Sequence, residues 1–281
     1  MGGGTVLTEP DLYCELSEYE TEKSMIEIKN LQKRFKLSRE QKKRKRGGNR
    51  NGFIDAVDHI SFKCEPGRIF TLLGPNGAGK TTTLRMIATL LKPTSGSISV
   101  CGMDTVKEAV EVRKRLGFLT GSTRLYDRLT PNEIIRYYAD LHYMDKNVYL
   151  KRRDELFTVL DMHDFADWRI GKLSTGMKQK VSIARTMIHD PEVVVFDEPT
   201  VGLDVMTSQN IIGLIRQCRE DGKTVIFSTH IMGEVSLLSD DMAIIHCGKL
   251  LYNGEYKDFT AQMSSGSIEE EFIRILRETE Q

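Results

Sequence analysis

The chain has 281 residues, 40% of them hydrophobic and 28% charged, the balance of a globular protein with a real core to bury. Its 40 Lys and Arg offset 40 Asp and Glu, which argues against a dedicated nucleic-acid binder, since such domains carry excess positive charge. No run of 18 apolar residues occurs, so no bilayer span is expected, and residues 1–24 lack the basic-then-apolar order of a secretory signal.

The neutral total conceals blocks of opposite sign. Residues 1–24 hold six acids against Lys23 and read as a disordered leader to which no function is assigned. Residues 36–50 hold eight bases against Glu40 and run into Gly47-Gly48-Asn49-Arg50-Asn51-Gly52, a flexible loop by composition. Around this loop, Met25–Leu31 alternates apolar and polar as a half-buried strand does, and Ile54–Phe62 reads as its hairpin partner. A third strand, Arg68–Leu73, leads through a Gly-rich turn into a helix over Lys80–Leu91. Residues 131–141 and 147–160 carry apolar side chains at helical spacing. Strand–helix alternation then resumes, with strands at 193–196, 224–227 and 242–245 and a helix through 211–218, the pattern of a largely parallel sheet. Ile268, Phe272, Ile275 and Leu276 share one face of a terminal helix over 267–280. The five cysteines, Cys14, Cys64, Cys101, Cys218 and Cys247, are scattered and form no CxxC pair, so ordinary reduced thiols are expected.

Three segments carry chemistry. Gly74-Pro75-Asn76-Gly77-Ala78-Gly79-Lys80-Thr81 has the GxxxxGK[ST] pattern, in which glycines let backbone N–H groups approach phosphate oxygens and the helix that follows adds its positive end. Lys80 supplies a point charge for the β/γ-phosphates and Thr81 a hydroxyl for Mg²⁺. Val193–Glu198 is an apolar strand ending in two acids, Asp197 suited to Mg²⁺ and Glu198 to polarising a water. Leu173–Lys180 opens a helix at Ser174, a good N-cap, with Gly176 permitting close backbone approach.

In this order the segments resemble the ATPase subunit of ABC (ATP-binding cassette) transporters: Walker A at 74–81, a signature-like LSTGMKQK at 173–180 and Walker B at 193–198. Pro199–Asp204 is similar to the family's D-loop and Ser228-Thr229-His230 to its switch histidine. The resemblance covers about residues 25–254. It implies an α/β P-loop core with a mainly parallel sheet, an antiparallel β-subdomain, a helical subdomain at about 122–180, the basic loop 36–52 as an insertion, and residues 255–281 as a C-terminal helical extension. It implies ATP and Mg²⁺ as ligands and transport-coupled ATP hydrolysis as the reaction. Gly74 to Thr82, that is Gly74, Pro75, Asn76, Gly77, Ala78, Gly79, Lys80, Thr81 and Thr82, would cradle the phosphates, with Thr81 and Asp197 on the metal. Glu198 would be the general base and His230 would reach the γ-phosphate, while Phe35 would stack on adenine, its plainer reading being a core Phe at a strand end. Two cassettes close head to tail in this family, as homodimer or heterodimer, so Ser174 and Gly176 of one would face ATP on the other with Asp204 in the seam. Transmembrane permease subunits on a separate chain would be the partners, with this chain cytoplasmic and peripheral on the inner face of the cell membrane.

The chain departs from the family pattern at Gly121, which stands where a Gln is usual; Ser122 or water could replace that ligand. Its signature reads STGMK in place of SGGQ. With Leu125–Pro131, these departures look similar to single-cassette exporters of the sodium-extrusion and drug-resistance type, and 120–123 with 174–180 lean toward the sodium branch. The basic block keeps three readings: phosphate backbone, as in soluble ABC ATPases acting on ribosomes or nucleic acid; anionic lipid headgroups; or a solvated insertion. A single P-loop weighs against the first, because translation-type relatives carry two cassettes.

Overall fold

The computed structural model describes residues 25–37, 52–120 and 125–280. The acidic leader, residues 38–51 of the basic loop, Cys14, and the Gly121 and Ser122 substitutions for the family's Gln all lie outside the described residues.

Two sheets are built first. Strand β1 (Ile26–Lys36) pairs antiparallel with β2 (Phe53–Cys64), as the alternation in both segments leads one to expect, and on its other side with β4 (Ser95–Val100). The two-residue β5 (Met103–Asp104) completes this antiparallel sheet in the order β2-β1-β4-β5. The second sheet runs β10-β9-β3-β8-β7-β6, from β3 (Ile69–Leu73), β6 (Leu116–Leu119), β7 (Val193–Asp197), β8 (Thr224–Thr229), β9 (Asp241–His246) and β10 (Lys249–Glu255). Its neighbours are parallel except the β9–β10 hairpin at one edge.

Because successive side chains in a strand point to opposite faces, the apolar runs of the central strands serve two cores at once. Val194, Phe196, Val225 and Phe227 face one side, where α5 (Thr175–Met187), α6 (Val205–Glu220) and the helical middle, α3 (Pro131–Leu141) and α4 (Lys146–Val159), pack. Val193, Val195 and Ile226 face the other, against the antiparallel sheet and α1 (Lys80–Ile87). Phe196 and Phe227 are fully buried, each worth about 1.5–3 kcal/mol of transfer free energy. A third, smaller core forms where α7 (Met232–Leu238), α8 (Tyr256–Gln262) and α9 (Ile268–Glu280) cover Leu73, Met242 and Ile244, with Phe272 and Ile268 as the main contacts of α9.

Several elements differ from the expectation. The helix after the phosphate loop stops at Ile87 rather than Leu91, since Thr89 takes a left-handed φ of 62° that a helix cannot continue through. Strands β4, β5, β6 and β10 and the short helix α2 (Ala109–Arg115) are too short or too weakly periodic to show in the sequence; tertiary context makes them. The described cysteines, Cys64, Cys101, Cys218 and Cys247, are free thiols. Among the described residues no helix is long and apolar enough to cross a membrane.

Candidate functional site

Parallel pairing in the order β3-β8-β7 brings three carboxyl ends side by side, where ligands bind in open α/β sheets. The phosphate loop follows β3, Asp197-Glu198 ends β7, and Ser228-Thr229-His230 ends β8.

The loop is gripped from two sides, and its glycines are what permit this. A Cβ on Gly74 would stand 2.3 Å from the Ile245 carbonyl oxygen, and one on Gly79 would stand 2.4 Å from that of Ala56 in β2. Gly79 also takes φ 114° as the N-cap of α1, open only to a residue without a side chain. Ala78 is buried and its carbonyl accepts from the Gly248 N–H at 2.9 Å, so the β9–β10 turn braces the loop. Asn76 and Gly77 face solvent. No acid occupies the first turn of α1, which leaves the positive end of that helix, with Thr81 and Thr82 half-buried on it, directed at the loop.

Lys80 is 4% exposed and donates through Nζ to the carbonyls of Gly74 at 2.6 Å and Pro75 at 3.2 Å. Its Nζ lies 3.3 Å from Glu198 Oε1, and the same carboxylate oxygen lies 3.3 Å from His230 Nδ1. Thr81 Oγ1 donates to Asp197 Oδ1 at 2.9 Å, and Ser228 Oγ donates to that oxygen at 2.8 Å. Sequence reading assigned Ser228 no role of its own; its contact follows from register, because β7 and β8 place Asp197 beside Ser228. Glu198 occupies the left-handed region at φ 49°, unusual for a side chain of its size and a form of strain that collects at functional positions. Its N–H is held by the Ser228 carbonyl at 3.2 Å and by Ser228 Oγ at 3.1 Å.

Phe35 is 38% exposed at the end of β1, with Lys33 Nζ 5.3 Å from its ring centroid. Its cross-strand neighbour is Ile54, two residues from the Ala56 carbonyl that abuts Gly79, so an open aromatic face stands on the strand next to the one that touches the loop.

Ser174, Gly176 and Asp204 form a separate cluster. Ser174 caps α5, accepting from the Met177 N–H at 3.2 Å, the N-cap expected of it. Asp204 caps α6, accepting from the Thr207 N–H at 2.9 Å and hydroxyl at 2.8 Å, bonds that hold its carboxyl below the usual range. A Cβ on Gly176 would meet Thr207 Oγ1 at 2.9 Å, so the two helix starts touch only because a glycine stands there. The clusters are joined by Gln179 of α5, whose Nε2 donates to the Pro199 carbonyl at 2.8 Å, directly after Glu198. Nothing in the sequence distinguishes Gln179 from an ordinary helix-surface amide.

Parallel strands that end together in a phosphate cradle and a carboxylate pair are the construction of a P-loop nucleotide hydrolase. The family described as "ABC transporter" matches residues 57–201. The ABC transporter ATP-binding protein NatA of Bacillus subtilis (strain 168) is 45% identical over 202 residues, 72% of this chain and 82% of that protein. The linearmycin resistance ATP-binding protein LnrL of the same organism is 34% identical over 212 residues, 75% of this chain and 68% of that protein. Among solved structures, a dimeric post-hydrolysis state of an ATP-binding cassette bound to ADP and Pi superposes with TM-score 0.72 at 26% identity, covering 82% of this chain and 98% of that one. The chain belongs to the ABC transporter family, and it is an ATP-binding, ATP-hydrolysing cassette.

Proposed function

We propose that this cassette is the motor of an exporter: two copies close around two ATP molecules, hydrolysis at Glu198 reopens them, and the movement passes to transmembrane subunits on a separate chain. The observation that carries the assignment of chemistry is the Glu198 carboxylate, 3.3 Å from both Lys80 and His230 at the mouth of the phosphate loop. The backbone N–H groups of the 74–80 loop, to which Pro75 adds none, together with the start of α1 and Lys80, bind the phosphates, with Thr82 at the same helix start. Thr81 and Asp197 offer a hydroxyl and a carboxylate already in contact, a hard-oxygen set suited to Mg²⁺, which usually takes one or two carboxylates together with substrate phosphates. When bound there, Mg²⁺ would neutralise charge on the β- and γ-phosphates.

Glu198 accepts a proton from a water whose oxygen attacks the γ-phosphorus; the bond to the β-phosphate oxygen breaks and ADP leaves with its electron pair. His230 orients Glu198 and the γ-phosphate. The exposed face of Phe35 supports its stacking on adenine. Ser174, Gly176 and Asp204 of one copy meet the nucleotide of the other; their clustering at two helix starts away from the chain's own loop supports this reading. Residues 25–254 form the cassette, with 122–180 as its helical subdomain and 255–281 as an extension held to it by Phe272 and Ile268. It works at the inner face of the cell membrane, and relatives named for linearmycin resistance and bacitracin transport support a drug-like cargo over ribosomal work, while the sodium-ion reading rests on the resemblance of residues 120–123 and 174–180.

The test is Glu198→Gln. The amide keeps the size of the side chain and loses the proton acceptor, so nucleotide binding should persist within about twofold while turnover falls by about 10²-fold or more. Turnover at the wild-type rate would rule out Glu198 as the base.

A further inference from the structure

Glu234 is a carboxylate buried to 6% exposure on α7, four residues beyond His230. Burying a carboxylate is costly unless strong hydrogen bonds offset it. Both of its oxygens are engaged by hydroxyls that are themselves buried. Thr200 Oγ1 donates to Oε1, and Thr229 Oγ1 donates to Oε2 at 2.6 Å. Thr229 Oγ1 in turn accepts from the Ile231 N–H at 3.0 Å, fixing the turn that carries His230.

The two threonines flank the reacting pair. Thr200 lies two residues after Glu198, and Thr229 immediately precedes His230. One carboxylate therefore ties the turn leaving Glu198 to the strand end presenting His230, across the 3.3 Å separation between those two side chains. Glu198 also needs outside support, because its left-handed backbone persists only where neighbouring contacts over-determine it. Two contacts hold the turn: Gln179 of α5 donates to the Pro199 carbonyl, and Glu234 of α7 accepts from the Thr200 hydroxyl.

We propose that Glu234 is a positioning residue for hydrolysis, holding Glu198 and His230 in register without touching nucleotide. The proposal rests on the roles assigned to Glu198 and His230 above. It goes beyond them in placing the determinant of their geometry on α7, outside the phosphate loop, the signature segment and the acidic strand. An amide at this position accepts from one threonine and can reach the other only by donating to its hydroxyl, which displaces that hydroxyl's own proton and leaves an amide N–H without an acceptor in a buried site, so Glu234→Gln weakens one side of the tie at constant volume.

Steady-state and single-turnover ATP hydrolysis, together with thermal melting, test this on the full chain. Glu234→Gln should lower kcat about tenfold, with KM for ATP moving less than about twofold and the melting temperature close to wild type. Thr200→Val and Thr229→Val, which each delete one hydroxyl at the same shape, should reproduce part of that loss. In a His230→Ala background the further loss from Glu234→Gln should be smaller than in the wild type, because one of the two side chains it holds in register is gone. A kcat within twofold of wild type in Glu234→Gln, a loss that multiplies unchanged in the His230→Ala background, or a loss that follows the unfolded fraction across the three variants would each overturn the proposal. Failure of the underlying roles reads differently: Glu198→Gln and His230→Ala would then keep wild-type turnover.

Discussion

The two polar clusters of this cassette use their residues in opposite ways. Around the phosphate loop, Lys80, Thr81, Asp197, Glu198, Ser228 and His230 bond to one another across three separate elements, α1 and the ends of β7 and β8, so the fold itself assembles them. Around the starts of α5 and α6, Ser174 and Asp204 turn inward to cap their own helices, and Gly176 serves as the gap that lets the helices meet. The first arrangement is complete chemistry within one chain. In the second, the polar groups are already satisfied locally, and what the surface offers a ligand is two adjoining helix starts with their positive ends. On the function proposed above, this asymmetry gives one site that binds nucleotide within a single chain and one face left to meet the nucleotide of a second copy.

The comparison is broken most directly at Lys80. Lys80→Ala removes a buried ammonium from the centre of the first cluster, and charge-assisted bonds of this kind are worth about 1.5–3 kcal/mol each. Nucleotide affinity of the isolated chain should fall by about 10²-fold in a titration with a fluorescent ATP analogue. Unchanged affinity would mean that the loop does not bind phosphate as assigned. A glycine pair then sets the clusters against each other. Gly79→Ala forces a side chain onto φ 114° and against a backbone oxygen at 2.4 Å, so a stability loss of about 2 kcal/mol or more is expected, with loss of nucleotide binding. Gly176→Ala crowds the Thr207 hydroxyl at 2.9 Å, which is already bonded to Asp204, but keeps a helical backbone and gains helix propensity, so a stability loss of about 1–2 kcal/mol is expected, smaller than that of Gly79→Ala. Monomer affinity for ATP should be unchanged by Gly176→Ala while cooperative turnover falls. If the monomer's affinity fell as in Gly79→Ala, the separation of the two clusters would be lost.

Much of the first cluster was legible before the structure, because its residues sit in short contiguous motifs whose spacing is fixed by phosphate geometry. Val193–Phe196 announced a strand buried on both faces, and Gly74 to Thr81 announced the turn and helix that follow β3. Other contacts were illegible for a physical reason: they depend on register between segments far apart in sequence. Ser228 meets Asp197 only because β7 and β8 pair in parallel at that offset, and Gln179 meets Pro199 only because α5 packs beneath the β7 end. Glu234 carries no signal at all, since a lone Glu on a seven-residue helix reads as solvated surface. Strands β4 and β6 were missed likewise: Ser95–Val100 alternates weakly, and Leu116–Leu119 is too short to show a period. The helical pattern runs past the end of α1 because nothing in Ala88-Thr89-Leu90 forbids a helix locally.

The smaller effects lie in the second cluster. Ser174→Ala should cost about 1 kcal/mol through the lost N-cap of α5, read by chemical denaturation. A fall in turnover larger than the unfolded fraction accounts for would assign the hydroxyl to the partner copy's nucleotide as well. Asp204 gives the finest discrimination, because its charge titrates. The Thr207 backbone N–H first, and its hydroxyl next, hold the folded carboxyl below the 3.8 of the free group. A depressed folded value means that its stabilisation is fully present above pH 3.8 and fades as pH falls from there toward the folded value. Asp204→Asn keeps a good capping side chain and removes the titration. The melting-temperature gap between wild type and Asp204→Asn should therefore be constant from pH 7 to about 5 and narrow as pH drops below 3.8. A gap that stays constant to pH ~3 would show that the charge of Asp204 is not spent on α6. The inward-turned picture of the second cluster would then fail at the residue that defines it.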